Sequence, residues 1–258
     1  MSILSLFFLI LFRLAPIVAI APFLGSKLPS GIKMGLLVSL AFILLPHVVV
    51  TSKTLLDFNT TFLALAAKEL FMGMILAIFA ALPFYIAQAA GVFIDFVRGS
   101  SALQVTDPFT QTQASDLGIL YNYVMIVLFY QLDGPFYFFD AVLNSYDIVP
   151  ADGWLSPVFF QFHHPFWLLV WTLISKLFAI AIQLSAPCLL AVLMTELFLG
   201  IANRLAPQVQ IAFLGMSLKS LAAIAMLVCA WFFIVRQLGI QSQLWFKNFH
   251  QILQTFNY

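Results

Sequence analysis

The sequence of 258 residues is 63% hydrophobic and only 8% charged, and its formal net charge is +1. Soluble domains usually carry about 25% charged residues, so this composition excludes an ordinary water-soluble domain. A nearly neutral chain also gives no basis for binding nucleic acid, because phosphates are bound mainly through lysine and arginine. The sequence therefore predicts one integral membrane domain over residues 1–258, with lipid or other proteins covering most of its surface.

The first two predicted elements are apolar segments joined by a short basic turn. The first covers residues 3–23 and contains Arg13 and Pro16. It has no basic leader region and no small-residue cleavage site, so we expect it to be retained rather than cleaved. Because a proline inside a helix frees a backbone carbonyl group, we expect the guanidinium group of Arg13 to bind it. The second segment covers residues 34–50.

The third apolar run, residues 62–97, is too long for one simple membrane span, which needs about 20 residues. Pro83 lies near its middle, which predicts a break that divides the run into the two arms of a hairpin or bent rod. Asp95 and Arg98 are three residues apart and can pair on one helix face. Charged residues therefore lie near both ends of the run: Lys68, Glu69, Asp95 and Arg98.

A polar segment, residues 99–116, follows this run and is rich in serine, threonine and glutamine. Inside so apolar a protein, such a segment reaches water or lines a polar passage, and an ordinary surface loop is the alternative. Residues 117–132 form a fourth apolar segment. The next connection, residues 133–164, is acidic and contains no lysine or arginine. The positive-inside rule places a connection of this kind on the non-cytoplasmic side.

The last two apolar segments cover residues 165–203 and 207–238. Pro187 predicts a break within the first, and Pro207 predicts the start of the second, because proline favours the first turn of a helix. The tail, residues 239–258, is amphipathic, and we expect it to lie at a membrane interface.

Three charged residues are embedded in the otherwise apolar stretch of residues 194–220. Glu196, Gly200 and Arg204 recur every four residues and so form one stripe on a helix, and Lys219 follows in the next segment. Charges in apolar sequence usually mark function, because they cost free energy unless they are paired or hydrated. A buried ion pair that only sets the register of two helices is the alternative.

Catalytic and metal-binding motifs are missing from the sequence. The four histidines do not form a motif, and Cys188 and Cys229 have no metal-binding spacing. We therefore expect neither an enzyme nor a cofactor. Two other classes stay open: a secondary transporter with a site at the membrane midplane near Glu69, Asp95 and Glu196, and an intramembrane enzyme, which would need a catalytic pair that the sequence does not show.

Several motifs in order resemble the T protein of the type III secretion export apparatus, whose flagellar relative is FliR. The strongest of them begins at Glu196, continues through Gly200 and Arg204, and ends with Ala206-Pro207-Gln208. The central motif, residues 91–99, with its Asp95 and Arg98-Gly99, is more similar to the virulence injectisome branch than to the flagellar branch. The other matching stretches are Phe12-Arg13-Leu14-Ala15-Pro16, Lys68-Glu69 with Gly73, Asp107-Pro108, and Gly215 with Lys219.

The resemblance implies a non-enzymatic export-gate subunit made of extended, proline-broken helical hairpins. One copy is expected to join R and S subunits in a helical assembly that admits unfolded proteins at the bacterial inner membrane. The assembly is expected to be raised toward the periplasm, next to the U switch protein, the V gate protein and the inner rod and needle proteins.

Three sets of residues have expected roles, which follow from the resemblance together with the chemistry of the residues themselves. The polar segment is expected to line or plug the pore through Ser100, Gln104, Thr106, Gln111 and Gln113. Charged residues are expected to be structural or to pair across subunits: Arg13, Lys68, Glu69, Asp95, Arg98, Glu196, Arg204 and Lys219. Helix breaks are expected at Pro16, Pro83, Pro187 and Pro207.

Overall fold

The computed structural model describes residues 2–25, 28–52, 60–99, 115–154, 165–205 and 211–254. Within these ranges the chain forms helices and no β-strand, which confirms the predicted all-α fold. A short 3₁₀ helix, Pro22–Leu24, accompanies seven α-helices in the described part of the chain. They are α1 Ser2–Ile20, α2 Ser30–Thr51, α3 Thr60–Val97, α4 Asp116–Gln131, α5 Gly134–Ile148, α6 Pro165–Leu205 and α7 Ile211–Gln254.

Most of these helices are long and apolar enough to cross a membrane. Five qualify by themselves, namely α1, α2, α3, α6 and α7, and the count rises to as many as six if the bent pair α4–α5 forms one span. Helices suit this environment because their backbone groups bond within the helix, whereas hydrocarbon offers unpaired N–H and C=O groups no partner. The predicted apolar segments therefore correspond to helices.

Three of the four prolines that are expected to break helices lie inside helices rather than at their ends. Pro16 lies in α1, Pro83 in α3 and Pro187 in α6, and each helix continues beyond its proline. This corrects the predicted helix breaks at these three positions, while Pro207 lies outside the described residues. At Pro83 the structure gives a physical reason, which involves the carbonyl group of Phe79.

Proline at position 83 has no N–H group, so the carbonyl oxygen four residues earlier, in Phe79, loses its helical partner. The indole N–H of Trp245 donates to this oxygen at 3.1 Å, and the Trp245 side chain is buried. The carbonyl is thus satisfied without a break in α3. Trp245 lies in the tail that is predicted to be interfacial, and α7 continues through this tail as far as Gln254.

The acidic connection predicted over residues 133–164 contains a helix of its own, α5. It begins after Asp133, which adopts a left-handed conformation with φ of 57°. Several of its residues are buried at helical spacing, including Phe138, Ala141, Val142 and Ser145. This helix is not predicted from the sequence, because the aspartates of the stretch favour a polar connection.

The chain, treated in the sequence analysis as one domain, comprises two compact units. Unit 1 contains residues 1–82, 129–173 and 243–258, and unit 2 contains residues 83–128 and 174–242. In unit 1, α1 packs against α2, and α2 packs against α5. Aromatic rings fill part of this core, since Phe23 lies with its ring centroid 4.5 Å from that of Phe129 and 5.1 Å from that of Phe138. In unit 2, Tyr121 and Trp231 make an edge-to-face contact.

Candidate functional site

The most deeply buried charges lie in unit 1, where α1 meets α3. The side chains of Arg13 and Glu69 are completely buried, and that of Lys68 is 5% exposed. Arg13 Nη2 donates to Glu69 Oε1 at 2.8 Å and Arg13 Nε pairs with Glu69 Oε2, so the guanidinium binds the carboxylate with both arms. Lys68 Nζ lies 2.7 Å from Glu69 Oε1. Two cations therefore share one buried anion.

Both cations also bind the C-terminal end of α5 and the turn after it. Arg13 donates to Ser145 Oγ at 3.1 Å and to the Val149 carbonyl oxygen at 2.8 Å, and its guanidinium carbon lies 3.8 Å from the Tyr146 ring centroid. Positive charge near a helix C-terminus is favourable because the last carbonyl groups carry partial negative charge. Lys68 Nζ donates to three further carbonyl oxygens, those of Pro150, Ala151 and Gly153.

This arrangement differs from the role expected for Arg13. Its guanidinium binds Glu69 and the end of α5 instead of a carbonyl group freed by Pro16. The close contact between α1 and α3 depends on Gly73 in α3, since a Cβ atom at this position would overlap the backbone carbonyl group of Arg13 in α1. The charged cluster and the glycine together join α1, α3 and α5 within unit 1.

A second charged group lies in unit 2 and connects the end of α3 with the start of α4. The Asp95 side chain is buried, and Arg98 Nη2 lies 2.7 Å from Asp95 Oδ1, which confirms the predicted i, i+3 pair. Asp95 Oδ2 accepts hydrogen bonds from Ser115 Oγ at 2.5 Å and from the Leu117 N–H at 3.0 Å. Ser115 in turn caps α4, because its Oγ accepts the Gly118 N–H at 2.9 Å.

One turn earlier, Gly91 brings the same two helices into backbone contact. A Cβ atom at Gly91 would overlap the backbone of Leu117 and Gly118. α3 ends shortly afterwards at Val97, and Gly99 follows it with a φ of 83°, which is typical of the glycine just beyond a helix C-terminus. Sequence reasoning identified Asp95 and Arg98 but missed Ser115, although Ser-Asp before an apolar run is a helix-start signal.

A third charged pair joins α6 and α7 in unit 2. Lys219 Nζ donates to Glu196 Oε1 at 2.5 Å, and the two side chains are 27% and 43% exposed. The stripe of the sequence analysis placed Glu196 with Arg204, but the partner of Glu196 belongs to the facing helix. This pair is also not buried within the chain. Arg204 is exposed in the last turn of α6, where its charge complements the helix C-terminus.

The predicted pore-lining residues lie outside the described part of the chain. They are Ser100, Gln104, Thr106, Gln111 and Gln113. Of the described residues that flank them, Ser115 belongs to the group around Asp95. Among the described residues, the charges singled out in the sequence therefore form separate groups: a buried one in unit 1, and a buried one and a partly exposed one in unit 2.

A family model described as "Bacterial export proteins, family 1" matches residues 4–243, which is most of the chain and includes all three charged groups. The chain belongs to this family. The export protein is 27% identical to the surface presentation of antigens protein SpaR of Shigella flexneri, over 83% of this chain and 80% of the relative. The resemblance to the T protein of the type III secretion export apparatus and to FliR, found in the sequence, is thereby confirmed.

Two further relatives show the breadth of the family. The export protein is 28% identical to the Yop proteins translocation protein T of Yersinia pestis, over 85% of this chain and 83% of the relative. It is also 28% identical to the flagellar biosynthetic protein FliR of Bacillus subtilis, over 86% of this chain and 84% of the relative. The export protein is therefore a membrane component of a bacterial protein-export apparatus.

Proposed function

We propose that the export protein is the T subunit of a type III secretion export gate and belongs to the injectisome branch. The family match over residues 4–243 carries this proposal. Relatives named for antigen presentation and Yop translocation support the injectisome branch, as does the Asp95 and Arg98-Gly99 form of the central motif. In this role the protein is not an enzyme, needs no cofactor and acts through the passage that it helps to build.

The charged residues support assembly with other subunits. Glu196 and Lys219 lie within helical stretches apolar enough to span a membrane, yet their side chains are partly exposed. Charged side chains are costly in hydrocarbon, so protein or water rather than lipid is expected to cover this pair. Neighbouring R and S subunits of the inner-membrane gate would provide that cover. Lipid would cover other apolar faces, and the U, V, inner rod and needle proteins would be further neighbours.

The polar segment, residues 99–116, would line or plug the passage for unfolded proteins. Its serine, threonine and glutamine side chains can hydrogen-bond to water and to passing polypeptides without attracting one particular charge. Deleting residues 101–113 is expected to raise ion leak through the assembled complex. Unchanged leak in a fully assembled complex would contradict this part of the proposal.

The transporter alternative places a solute at the membrane midplane near three acidic residues. Each of these carboxylates already has partners within the chain. Glu69 binds Arg13 and Lys68, Asp95 binds Arg98, Ser115 and Leu117, and Glu196 binds Lys219. A solute would have to displace these partners, so the export gate is the function that the contacts favour.

Purification of an affinity-tagged protein from bacterial inner membranes tests the main proposal. We expect a hetero-oligomer that contains two other kinds of export subunit, identified by native mass measurement, and loss of protein secretion when the gene is deleted. A tagged copy expressed without the other export genes is the control for aggregation. A monomer or homodimer, together with normal secretion in the deletion strain, would overturn the proposal.

A further inference from the structure

We propose that Asp95 is a positioning residue that ties the end of α3 to the start of α4, and that this tie stays closed while proteins are exported. The four residues of the tie are Asp95, Arg98, Ser115 and Leu117. The export measurement rests on the proposed function, but the tie itself can be tested without it.

The two oxygens of the Asp95 carboxylate have different partners: hydrogen-bond donors at Oδ2 and an ion pair with Arg98 at Oδ1. Oδ2 accepts from Ser115 Oγ and from the Leu117 N–H, and Oδ1 faces Arg98 Nη2. The side chain of Asp95 is 5% exposed and that of Arg98 is 11% exposed. Opening the tie would leave a buried carboxylate, a nearly buried guanidinium group and an N–H without partners, so the closed state is strongly favoured.

Asp95 does more than cap a helix. Ser115 already satisfies the third N–H of α4, that of Gly118, from within the same chain segment. Asp95 satisfies the second, that of Leu117, from a different helix, and its negative charge lies at the positive end of the α4 dipole. The start of α4 is therefore held against α3 by a bond that neither helix can make alone.

A second contact makes the junction rigid. Gly91 lies one turn before Asp95 on α3, and its backbone contacts that of Leu117 and Gly118 so closely that no side chain fits. α3 thus contacts the start of α4 at two positions, Gly91 and Asp95. α3 ends at Val97, and the described chain resumes at Ser115, which Asp95 binds directly.

A disulfide between positions 95 and 115 tests whether the tie stays closed during export or has to open. The variant combines Asp95→Cys with Ser115→Cys, whose native side chains are in hydrogen-bond contact, in a chain in which Cys188 and Cys229 are replaced by alanine. Without the carboxylate, the reduced variant is expected to lose thermal stability and export. Oxidation is expected to restore export and to recover part of the thermal stability, because the disulfide holds the same two elements. Full stability is not expected, since Arg98 and the N–H groups of Leu117 and Gly118 stay without their native partners. The two single-cysteine chains, treated with the same oxidant, are the controls.

Each outcome decides the proposal. If oxidation raises thermal stability and restores export, the result supports a tie that stays closed during export. A fully oxidised, intact complex that does not export would overturn it, because the tie would then have to open. A reduced variant as stable and active as the parent would show that no tie is needed. If gene deletion leaves export unchanged, the proposed function fails instead, and recovery of thermal stability on oxidation still tests the tie.

Discussion

Burial decides which of the charged residues hold the chain together. Glu69 is completely buried between Arg13 and Lys68, whereas Glu196 is 43% exposed beside Lys219. Removing one member of a buried ion pair typically costs about 3–5 kcal/mol, because the remaining charge has no partner. An exposed pair contributes only about 0–1 kcal/mol. Glu69 is therefore expected to be far more important for the stability of the single chain than Glu196.

We predict that Glu69→Ala destabilises the protein by about 3–5 kcal/mol, since Arg13 and Lys68 would be left buried without an anion. The measurement is thermal unfolding of the purified protein in detergent, with Glu196→Ala as the matched control at an exposed site. Glu69→Gln keeps the side-chain volume but removes the charge, so it is expected to fall between the parent and Glu69→Ala. Equal stability of Glu69→Ala and Glu196→Ala would contradict the prediction.

At the scale of single residues, the sequence identified charges but only some of their partners. An ionisable residue in apolar sequence stands out from composition alone, and the Asp95–Arg98 pair follows from helical spacing within one element. The partners of Arg13 could not be predicted in the same way. Ser145 and the Val149 carbonyl group lie far along the chain, and no local pattern indicates which helices will face each other. For the same reason, Glu196 was matched with Arg204 instead of Lys219.

At the scale of elements, apolar segments predicted helices well because hydrocarbon leaves no other local structure for a single segment. The prolines at positions 16, 83 and 187 did not predict helix ends correctly. A proline removes a hydrogen bond, but the helix can continue when another group binds the freed carbonyl oxygen. Trp245 provides that group for Phe79, and a contact between residues so distant in sequence cannot be inferred from either segment alone.

This explanation for Pro83 predicts coupling between two positions. Trp245→Phe is expected to cost about 1–3 kcal/mol beyond its change in packing, because the Phe79 carbonyl oxygen becomes buried without a donor. In a Pro83→Ala background, the restored N–H of residue 83 can bind that oxygen. The same Trp245→Phe change is then expected to cost less. A double-mutant cycle of thermal unfolding measures the difference, and strictly additive costs would refute the explanation.

Close helix contact gives a second prediction at this scale. Gly73→Ala places a methyl group against the Arg13 carbonyl group, so α1 and α3 must move apart and the buried ion pair must stretch. We expect a loss of at least about 1–3 kcal/mol, the usual cost of overpacking. Gly35→Ala in α2 is the matched control, since its Cβ atom would have no atom within 4 Å. The control is expected to gain about 0.5–1 kcal/mol from alanine's higher helix propensity. Thermal unfolding measures the stability of both variants, and a Gly73→Ala variant as stable as Gly35→Ala would contradict the prediction.

At the scale of the whole molecule, the chain exposes far more apolar surface than a soluble protein could. Trp171, Phe198 and Leu205 in α6 are 72%, 65% and 81% exposed, and Phe232 in α7 is 71% exposed. Lipid can cover such side chains at no cost, but it cannot cover the charged pair that lies between the same two helices. The apolar surface could therefore be covered by lipid or by another protein. The ion pair between Glu196 and Lys219 is the feature that favours protein over lipid at this face.

Exchanging the charges of this pair separates its role within the chain from its role between subunits. The double variant Glu196→Lys with Lys219→Glu keeps an ion pair between α6 and α7 but reverses the charge presented to a neighbour. If the pair serves only the chain, the exchange is tolerated. If a partner subunit binds it, stability of the chain is retained while assembly is lost, because like charges at the contact repel and stay desolvated.

We predict the second result: normal membrane expression and thermal stability of the exchanged chain, but reduced co-purification of the other export subunits and reduced secretion. The matched control is the same exchange at Asp95 and Arg98, whose charges are bound inside the chain and should disrupt folding itself when reversed. Reversing Asp95 puts a positive charge at the N-terminus of α4, where the helix dipole opposes it. Normal assembly of the Glu196 and Lys219 exchange would show that lipid headgroups or water, and not a subunit, cover this pair.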